Sequence, residues 1–414
     1  YKMSFKKLTI LSLAILCVSC STPDRQVNTP SNTVESPVNI PSNNPSTSSS
    51  PNVIPSNSPS ASTNNDVDNS NSNNISINKS VLVSGLDTPW AIDFASDGRI
   101  FVTERAGRIR VVNNGNLQAE PWMTLDVWEN GEGGLLGLAL DPDFNTNKYI
   151  YVAYTYKGSD NNAYNRLVRL KEVNGKGVAD KTLIDNVSGS VNHNGGRVKF
   201  GPDGKLYWSI GEKYQVELAQ DKSSLNGKIL RLNSDGSIPN DNPLQNSYIY
   251  SYGHRNVQGL AWNKNNNAFY ATEHGPSGSQ GCCQDEVNLI ESGKNYGWPT
   301  ITGTARAEGL ETPITNSGGT KTWAPSGATF VNSGKWAGSL LFTGLRGQAL
   351  YRASIDNNSK NVVTNLEEYF TKEYGRLRDI GQGPNGDFYL LTCNLDGKGT
   401  PTPDGDKIIR FTIN

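Results

Sequence analysis

Asp97-Gly98-Arg99-Ile100-Phe101-Val102-Thr103-Glu104 is a tight turn followed by a strand of alternating apolar residues that ends on a charge, and the chain repeats it. The same grammar returns in Asn147-Lys148-Tyr149-Ile150-Tyr151-Val152-Ala153-Tyr154 and in Asp203-Gly204-Lys205-Leu206-Tyr207-Trp208-Ser209-Ile210. It returns again in Asn266-Asn267-Ala268-Phe269-Tyr270-Ala271-Thr272-Glu273, in Ala337-Gly338-Ser339-Leu340-Leu341-Phe342 and in Asn385-Gly386-Asp387-Phe388-Tyr389-Leu390-Leu391. A second strand often follows, over Arg108–Val112, Arg166–Leu170, Lys228–Leu232, Ala349–Arg352 and Lys407–Thr412. Helix-period stretches are nearly absent. Six units of about four strands predict an all-β chain folded as a six-bladed β-propeller, in which each blade buries its faces against its neighbours. A pair of β-sandwiches and a β-helix are the alternatives; the uneven spacing of the units argues against a helix. A closed ring leaves an axial funnel lined by loops, and a ligand site belongs there.

The N-terminal sequence ahead of this pattern is different material. Met3-Ser4-Phe5-Lys6-Lys7 followed by the apolar run Leu8–Val18 reads as an export signal over residues 1–20. The run is shorter than the about 20 residues a membrane-spanning helix needs. Val18-Ser19-Cys20 suits lipoprotein processing, in which Cys20 is lipidated and anchors the mature chain to a membrane, periplasmic or at the cell surface; plain secretion with cleavage nearby is the alternative. From residue 21 to 78 the chain is Ser, Asn, Pro and Thr without an aromatic residue or a glycine, and it cannot bury enough apolar surface to fold. As a coil of roughly 55 residues it reaches on the order of 40 Å, a tether for a domain over residues 79–414.

That domain holds all eight Trp and all 42 Gly. The net charge of −1 gives no footprint for nucleic acid. Cys282 and Cys283 are adjacent and Cys393 stands alone, which is neither a disulfide framework nor zinc spacing. The adjacent pair is either a vicinal disulfide or two small buried side chains.

Only three histidines occur, and each sits in a loop-like segment: Val191-Asn192-His193-Asn194-Gly195-Gly196-Arg197, Gly253-His254-Arg255-Asn256 and Thr272-Glu273-His274-Gly275-Pro276. Imidazole placed beside arginine and bare backbone suits proton transfer or ligand contact.

These segments resemble the soluble pyrroloquinoline quinone (PQQ)-dependent sugar dehydrogenases of the glucose/sorbosone dehydrogenase family, which are six-bladed propellers. Further landmarks are Gly133-Gly134-Leu135-Leu136-Gly137-Leu138, Leu225-Asn226-Gly227-Lys228-Ile229-Leu230-Arg231-Leu232, Asp285-Glu286-Val287-Asn288-Leu289-Ile290, Asn295-Tyr296-Gly297-Trp298-Pro299 and Arg376-Leu377-Arg378-Asp379. The resemblance implies PQQ- and calcium-dependent oxidation of an aldose at C1 to the lactone, with electrons passed to an external acceptor. It makes His193 the general base and Glu212 its orienting carboxylate, where the family carries aspartate. Arg255 and Asn256 match the pair that contacts the reactive face of the quinone, and Arg376 and Arg378 the arginines that hold its carboxylates. Arg346 stands in place of a lysine, Thr322 matches a hydroxyl contact, and His274 takes the place of a glutamine beside the cofactor. Gly275 and Pro276 match the pair whose carbonyls hold calcium, and Glu286 with the carbonyl of Tyr296 would make a second calcium site. Glu132 and Asn192 fall on the substrate side, and Trp323 is a candidate for stacking on the sugar. Two other functions fit a propeller: an extracellular binding module without catalysis, and a metal-dependent lactonase built on Glu104, Glu212 and Glu273.

Overall fold

The computed structural model describes residues 75–356 and 358–414; the expected export segment, Cys20 and the tether up to residue 74 lie outside them. The described residues build six antiparallel sheets, one per repeat. Blade I runs through Pro89–Phe94, Ile100–Glu104 and Arg108–Asn113, with the short Asn116–Leu117 and Met123–Thr124 sharing its outer edge. Blade II is Leu135–Leu140, Tyr149–Lys157, Ala163–Val173 and Lys176–Ser188, and blade III is Val198–Phe200, Leu206–Ile210, Lys228–Leu232 and Ile249–Tyr252. Blade IV is Val257–Asn263, Ala268–Glu273, Glu286–Ile290 and Thr315–Asn316; blade V is Pro325–Val331, Ser339–Gly344, Leu350–Ile355 and Val363–Tyr369. Blade VI takes Leu377–Gln382, Phe388–Thr392 and Asp406–Ile413, and its outermost strand is Ile77–Leu86 from the start of the domain. Ile77 pairs with Ile413 and Leu86 with Asp406, so the two ends of the domain close the ring. Among the described residues the first strand thus begins at Ile77, two residues ahead of the boundary read from composition.

The repeated sequence unit is the second strand of each blade. Its burial explains its composition: Ile100–Glu104, Leu206–Ile210, Ala268–Glu273, Ser339–Gly344 and Phe388–Thr392 are buried at every residue. Both faces of such a strand meet another blade. Six apolar clusters fill the six clefts, for example Trp90, Phe101, Leu138 and Ile150 between blades I and II, and Leu86, Val102, Leu391 and Ile408 between VI and I. Burying apolar area on both faces at about 25 cal/mol per Å² is what holds a ring whose blades are joined only by loops.

The first strand of each blade lines the axis. Five of the six carry a register shift near their starts: at Trp90, between Leu135 and Leu138, at Gln258, between Pro325 and Ala328, and at Arg378. A bulge puts an extra residue against the partner strand and re-aims its side chain. Trp90, Gln258 and Arg378 are such residues, and all three line a cavity at that end of the ring.

Candidate active site

The cavity has a volume of about 560 Å³ and lies where the first strands begin. His193 reaches it from the loop ahead of Val198–Phe200, in a left-handed backbone conformation (φ 55°). The loop is pinned to its surroundings: the Gly195 N–H donates to Asn256 Oδ1 at 3.0 Å and the Gly196 N–H to the Ser209 carbonyl at 2.8 Å. Any side chain at residue 211 would collide with the His193 carbonyl, which is why glycine precedes Glu212.

His193 Nδ1 lies 2.9 Å from Glu212 Oε1, and both side chains are buried. A carboxylate only accepts, so Nδ1 carries the proton and Nε2 is left as the basic nitrogen on the side of the cavity. The other Glu212 oxygen accepts the Tyr214 N–H. The extra methylene of glutamate thus serves two contacts. The Tyr214 ring stacks on the imidazole, with centroids 3.9 Å apart and planes 17° from parallel.

Arginines line much of the rest of the wall. Arg376 donates to Asp396 Oδ2 through Nε (2.9 Å) and Nη2 (2.7 Å), and Arg378 to Gln258 Oε1 at 2.9 Å. Arg255 is fastened to Gln280 Oε1 (2.8 Å) and Ser277 Oγ (3.1 Å). Trp90 lies beside two guanidiniums, with its ring centroid 4.3 Å from that of Arg197 and 5.7 Å from that of Arg378. Arg346 lines the rim, exposed, with no side-chain acceptor among the described residues. With Arg105 and Lys398 there are six cationic side chains in the lining, against the carboxylates of Glu132, Asp285 and Asp396. That excess of three positive charges, with Nε of Arg105 and of Arg378 buried and unpartnered, suits a compact polyanion.

Asp285 joins two walls. Its carboxylate accepts the Gly275 N–H (2.9 Å), Thr322 Oγ1–H (3.0 Å) and the N–H groups of Trp323 (2.7 Å) and Ala324 (2.9 Å). Thr322 therefore lines the cavity with its hydroxyl already committed. Beside it, burial pushes the His274 imidazole down to about 4 despite Asp285 and Glu132, so it is neutral near neutral pH, and its Nε2 is shielded without a partner. Glu132 accepts the His193 N–H (3.2 Å) and pairs with Lys398 (2.8 Å). Burial alone would raise the Glu132 carboxyl; Lys398 and the imidazoles of His274 and His193 outweigh it and hold it at about 2.

Most of the residues singled out in the sequence meet here: Glu132, Asn192, His193, Arg255, His274, Gly275, Pro276, Thr322, Arg346, Arg376 and Arg378 all line the cavity. Asn256 does not; it sits behind the His193 loop. Glu286 and Tyr296 line a small neighbouring void with Glu273, Gly275 and Pro276. Trp323 is no stacking platform, because its indole packs in the core against Phe342 and Tyr351. His254 is structural: it is fully buried, bonded to Glu273 and Ser251 and stacked on Tyr296. The strand-end acids do not converge. Glu104 is held by Arg108 and Arg110 and Glu273 by His254, and among the described residues no three His, Cys, Asp or Glu side chains form a metal-ligand group. Cys282 and Cys283 are joined as a vicinal disulfide, and Cys393 is a buried free thiol beside Arg378. Trp90, Arg105, Tyr214, Asp285, Asp396 and Lys398 are site residues that the sequence reading missed.

Residues 86–403 match the family described as Glucose / Sorbosone dehydrogenase. The chain belongs to this family. An aldose sugar dehydrogenase of Escherichia coli (strain K12) is 34% identical over 343 residues, covering 77% of this chain and 90% of that one. The quinoprotein glucose dehydrogenase B of Acinetobacter calcoaceticus is 37% identical over 260 residues, 54% of this chain and 53% of its own length. Among solved structures, the PQQ-bound aldose sugar dehydrogenase of Streptomyces coelicolor superposes with a TM-score of 0.73 at 33% identity, covering 82% of this chain and 98% of that one. As a family member the chain is an oxidoreductase of the sugar dehydrogenase type, and its six-bladed propeller is the fold the resemblance implied.

Proposed function

We propose that the chain oxidises aldoses at C1 to lactones, using PQQ and calcium. The observation that carries this reading is the His193–Glu212 pair opening on a cavity with three excess positive charges. His193 Nε2 takes the proton of the C1 hydroxyl, and Glu212 holds the ring and balances the imidazolium that results. PQQ, when bound, supplies the acceptor for the hydride that leaves C1. Arg346, Arg376 and Arg378 would hold its carboxylates, and Arg255 would face its reactive edge. Fixing Arg255 through Gln280 and Ser277 reduces the ordering needed when the ligand arrives. Glu132 and Asn192 would meet the sugar hydroxyls.

Calcium fits two places. The carbonyls of Gly275 and Pro276 offer the oxygen donors a hard cation prefers. In the adjoining void Glu286 is buried beside Glu273, and burial together with that neighbour pushes its carboxyl up to about 8. Two facing carboxyls in a closed space are a donor set that a divalent cation would neutralise. Export and lipidation at Cys20 would put the domain outside the cytoplasmic membrane, where the electrons pass to an external acceptor.

Reconstitution tests the reading. Purified protein supplied with PQQ and calcium should reduce a redox dye when given aldoses, and neither addition alone should suffice. Saturable PQQ binding without turnover of any aldose would leave a binding protein in place of an enzyme.

A further inference from the structure

We propose that Tyr214 is a positioning residue for His193, clamped over the imidazole by the carboxylate that orients it. This rests on the reading of His193 as the base. One bond at Nδ1 fixes the distance between the imidazole and Glu212 but leaves the ring free to swivel about that contact. The Tyr214 ring removes that freedom by covering one face of the imidazole. The stack is built by the backbone. Lys213 and Tyr214 are consecutive residues with left-handed φ (54° and 64°), a conformation unfavourable for both. Three hydrogen bonds hold it: the Tyr214 N–H to Glu212 Oε2, the Lys213 N–H to the His193 carbonyl (3.2 Å), and the Gln215 N–H to the Glu212 carbonyl (2.9 Å). Both oxygens of Glu212 are used, one on the imidazole and one on the turn that carries its cover.

Tyr214 is not a core residue. It is 45% exposed, its hydroxyl has no partner among the described residues, and the ring lines the cavity. Little but the imidazole explains where the ring lies. An aromatic face also attracts a cation, so the stack favours His193 once it holds the substrate proton. The arrangement therefore acts on the proton-transfer step more than on sugar or cofactor binding.

The test uses the full domain with Tyr214→Ala, Tyr214→Leu and Tyr214→Phe. In enzyme loaded with PQQ and calcium, Tyr214→Ala and Tyr214→Leu should lower kcat about tenfold, equivalent to about 1.4 kcal/mol. KM, PQQ affinity and melting temperature should stay near parental, and Tyr214→Phe should keep most of kcat. A second measurement needs no cofactor. With only three histidines, the imidazole N–H signals can be assigned by NMR in the apo-protein. The His193 Nδ1–H should exchange with water faster in Tyr214→Ala than in the parent or in Tyr214→Phe. A parental kcat in Tyr214→Ala, a change confined to KM, a loss that follows melting temperature or PQQ affinity, or an unchanged exchange rate would each overturn the proposal. If the parent oxidises no sugar, the reading of His193 as base fails while the exchange experiment still decides whether Tyr214 positions the ring.

Discussion

His193 and His254 each stand nineteen residues ahead of a glutamate that binds their Nδ1 at 2.9 Å, yet only the first opens on the cavity. The pairs sit at corresponding places in blades III and IV, so the fold supplies one His–Glu contact twice. In blade IV the second nitrogen is taken by Ser251 and the ring is closed in by Tyr296. In blade III the second nitrogen has no partner among the described residues, and the ring lines the cavity. Composition and spacing raised both histidines alike, and only the family resemblance separated them, since burial depends on which loops lie above. The same limit hid Asp285 and Asp396, whose partners Thr322 and Arg376 lie 37 and 20 residues away. Arg376 and Arg378 were legible because matched motifs carried them. Substitution should separate the two histidines. His193→Gln should keep PQQ binding while turnover falls by about 10² to 10⁴, the usual worth of a positioned base. His254→Gln should keep kcat per folded molecule and destabilise by about 1–3 kcal/mol, because it disrupts a buried bonded network. Kinetics and thermal melts on the two variants check this, and a reversed pattern would falsify the assignment.

At the scale of elements, the turn-and-strand unit was legible because each second strand is buried on both faces by adjacent blades. Short edges such as Asn116–Leu117 and Thr315–Asn316 gave no signal, since two residues hold no period. Nor did the bulges, which depend on pairing to a neighbouring strand. One pairing has an electrostatic consequence. Glu273 and Glu286 stand directly opposite in blade IV, where like charges destabilise, and Asn288 Nδ2 bridges them at 3.3 and 3.2 Å. With a folded value of about 8 against an ordinary 4.5, Glu286 keeps its proton in the native state over a range where the unfolded chain has lost it. Stability without a bound cation should therefore fall as pH rises from about 4.5 to about 8, with this cost complete above that. A cation that binds the carboxylates opposes this trend. Calcium should raise the melting temperature more at pH 8 than at pH 5, and Glu286→Gln should remove most of the difference. An equal calcium effect at both pH values would count against a site at Glu286.

The whole ring depends on its closure. Ile77–Leu86 is first in the domain but outermost in the last blade, paired with Asp406–Ile413, and the Ser76 and Asn414 backbones exchange two hydrogen bonds of 3.1 and 2.8 Å. Composition placed the start of the domain at residue 79, because a polar stretch such as Ile77-Asn78-Lys79-Ser80 on an outer edge has little apolar content to mark it. Removing this strand takes Val83 and Leu86 out of the cluster between blades VI and I, exposes their partners Leu391 and Ile408, and unpairs the edge of the C-terminal strand. It also leaves blade VI with three strands, the innermost of which carries Arg378 and follows Arg376. Two truncations should therefore behave differently. Deleting residues 1–74 removes the expected export segment and a tether too poor in apolar residues to join a core, and the melting temperature, PQQ affinity and kcat should match the full chain. Deleting residues 1–86 should lower the melting temperature sharply and weaken PQQ binding, since the arginine side of the cavity loses its support. Calorimetry and PQQ titration of both proteins decide the matter. If the shorter deletion also destabilises, the tether packs on the domain; if the longer one is tolerated, the ring does not need this strand to stay closed.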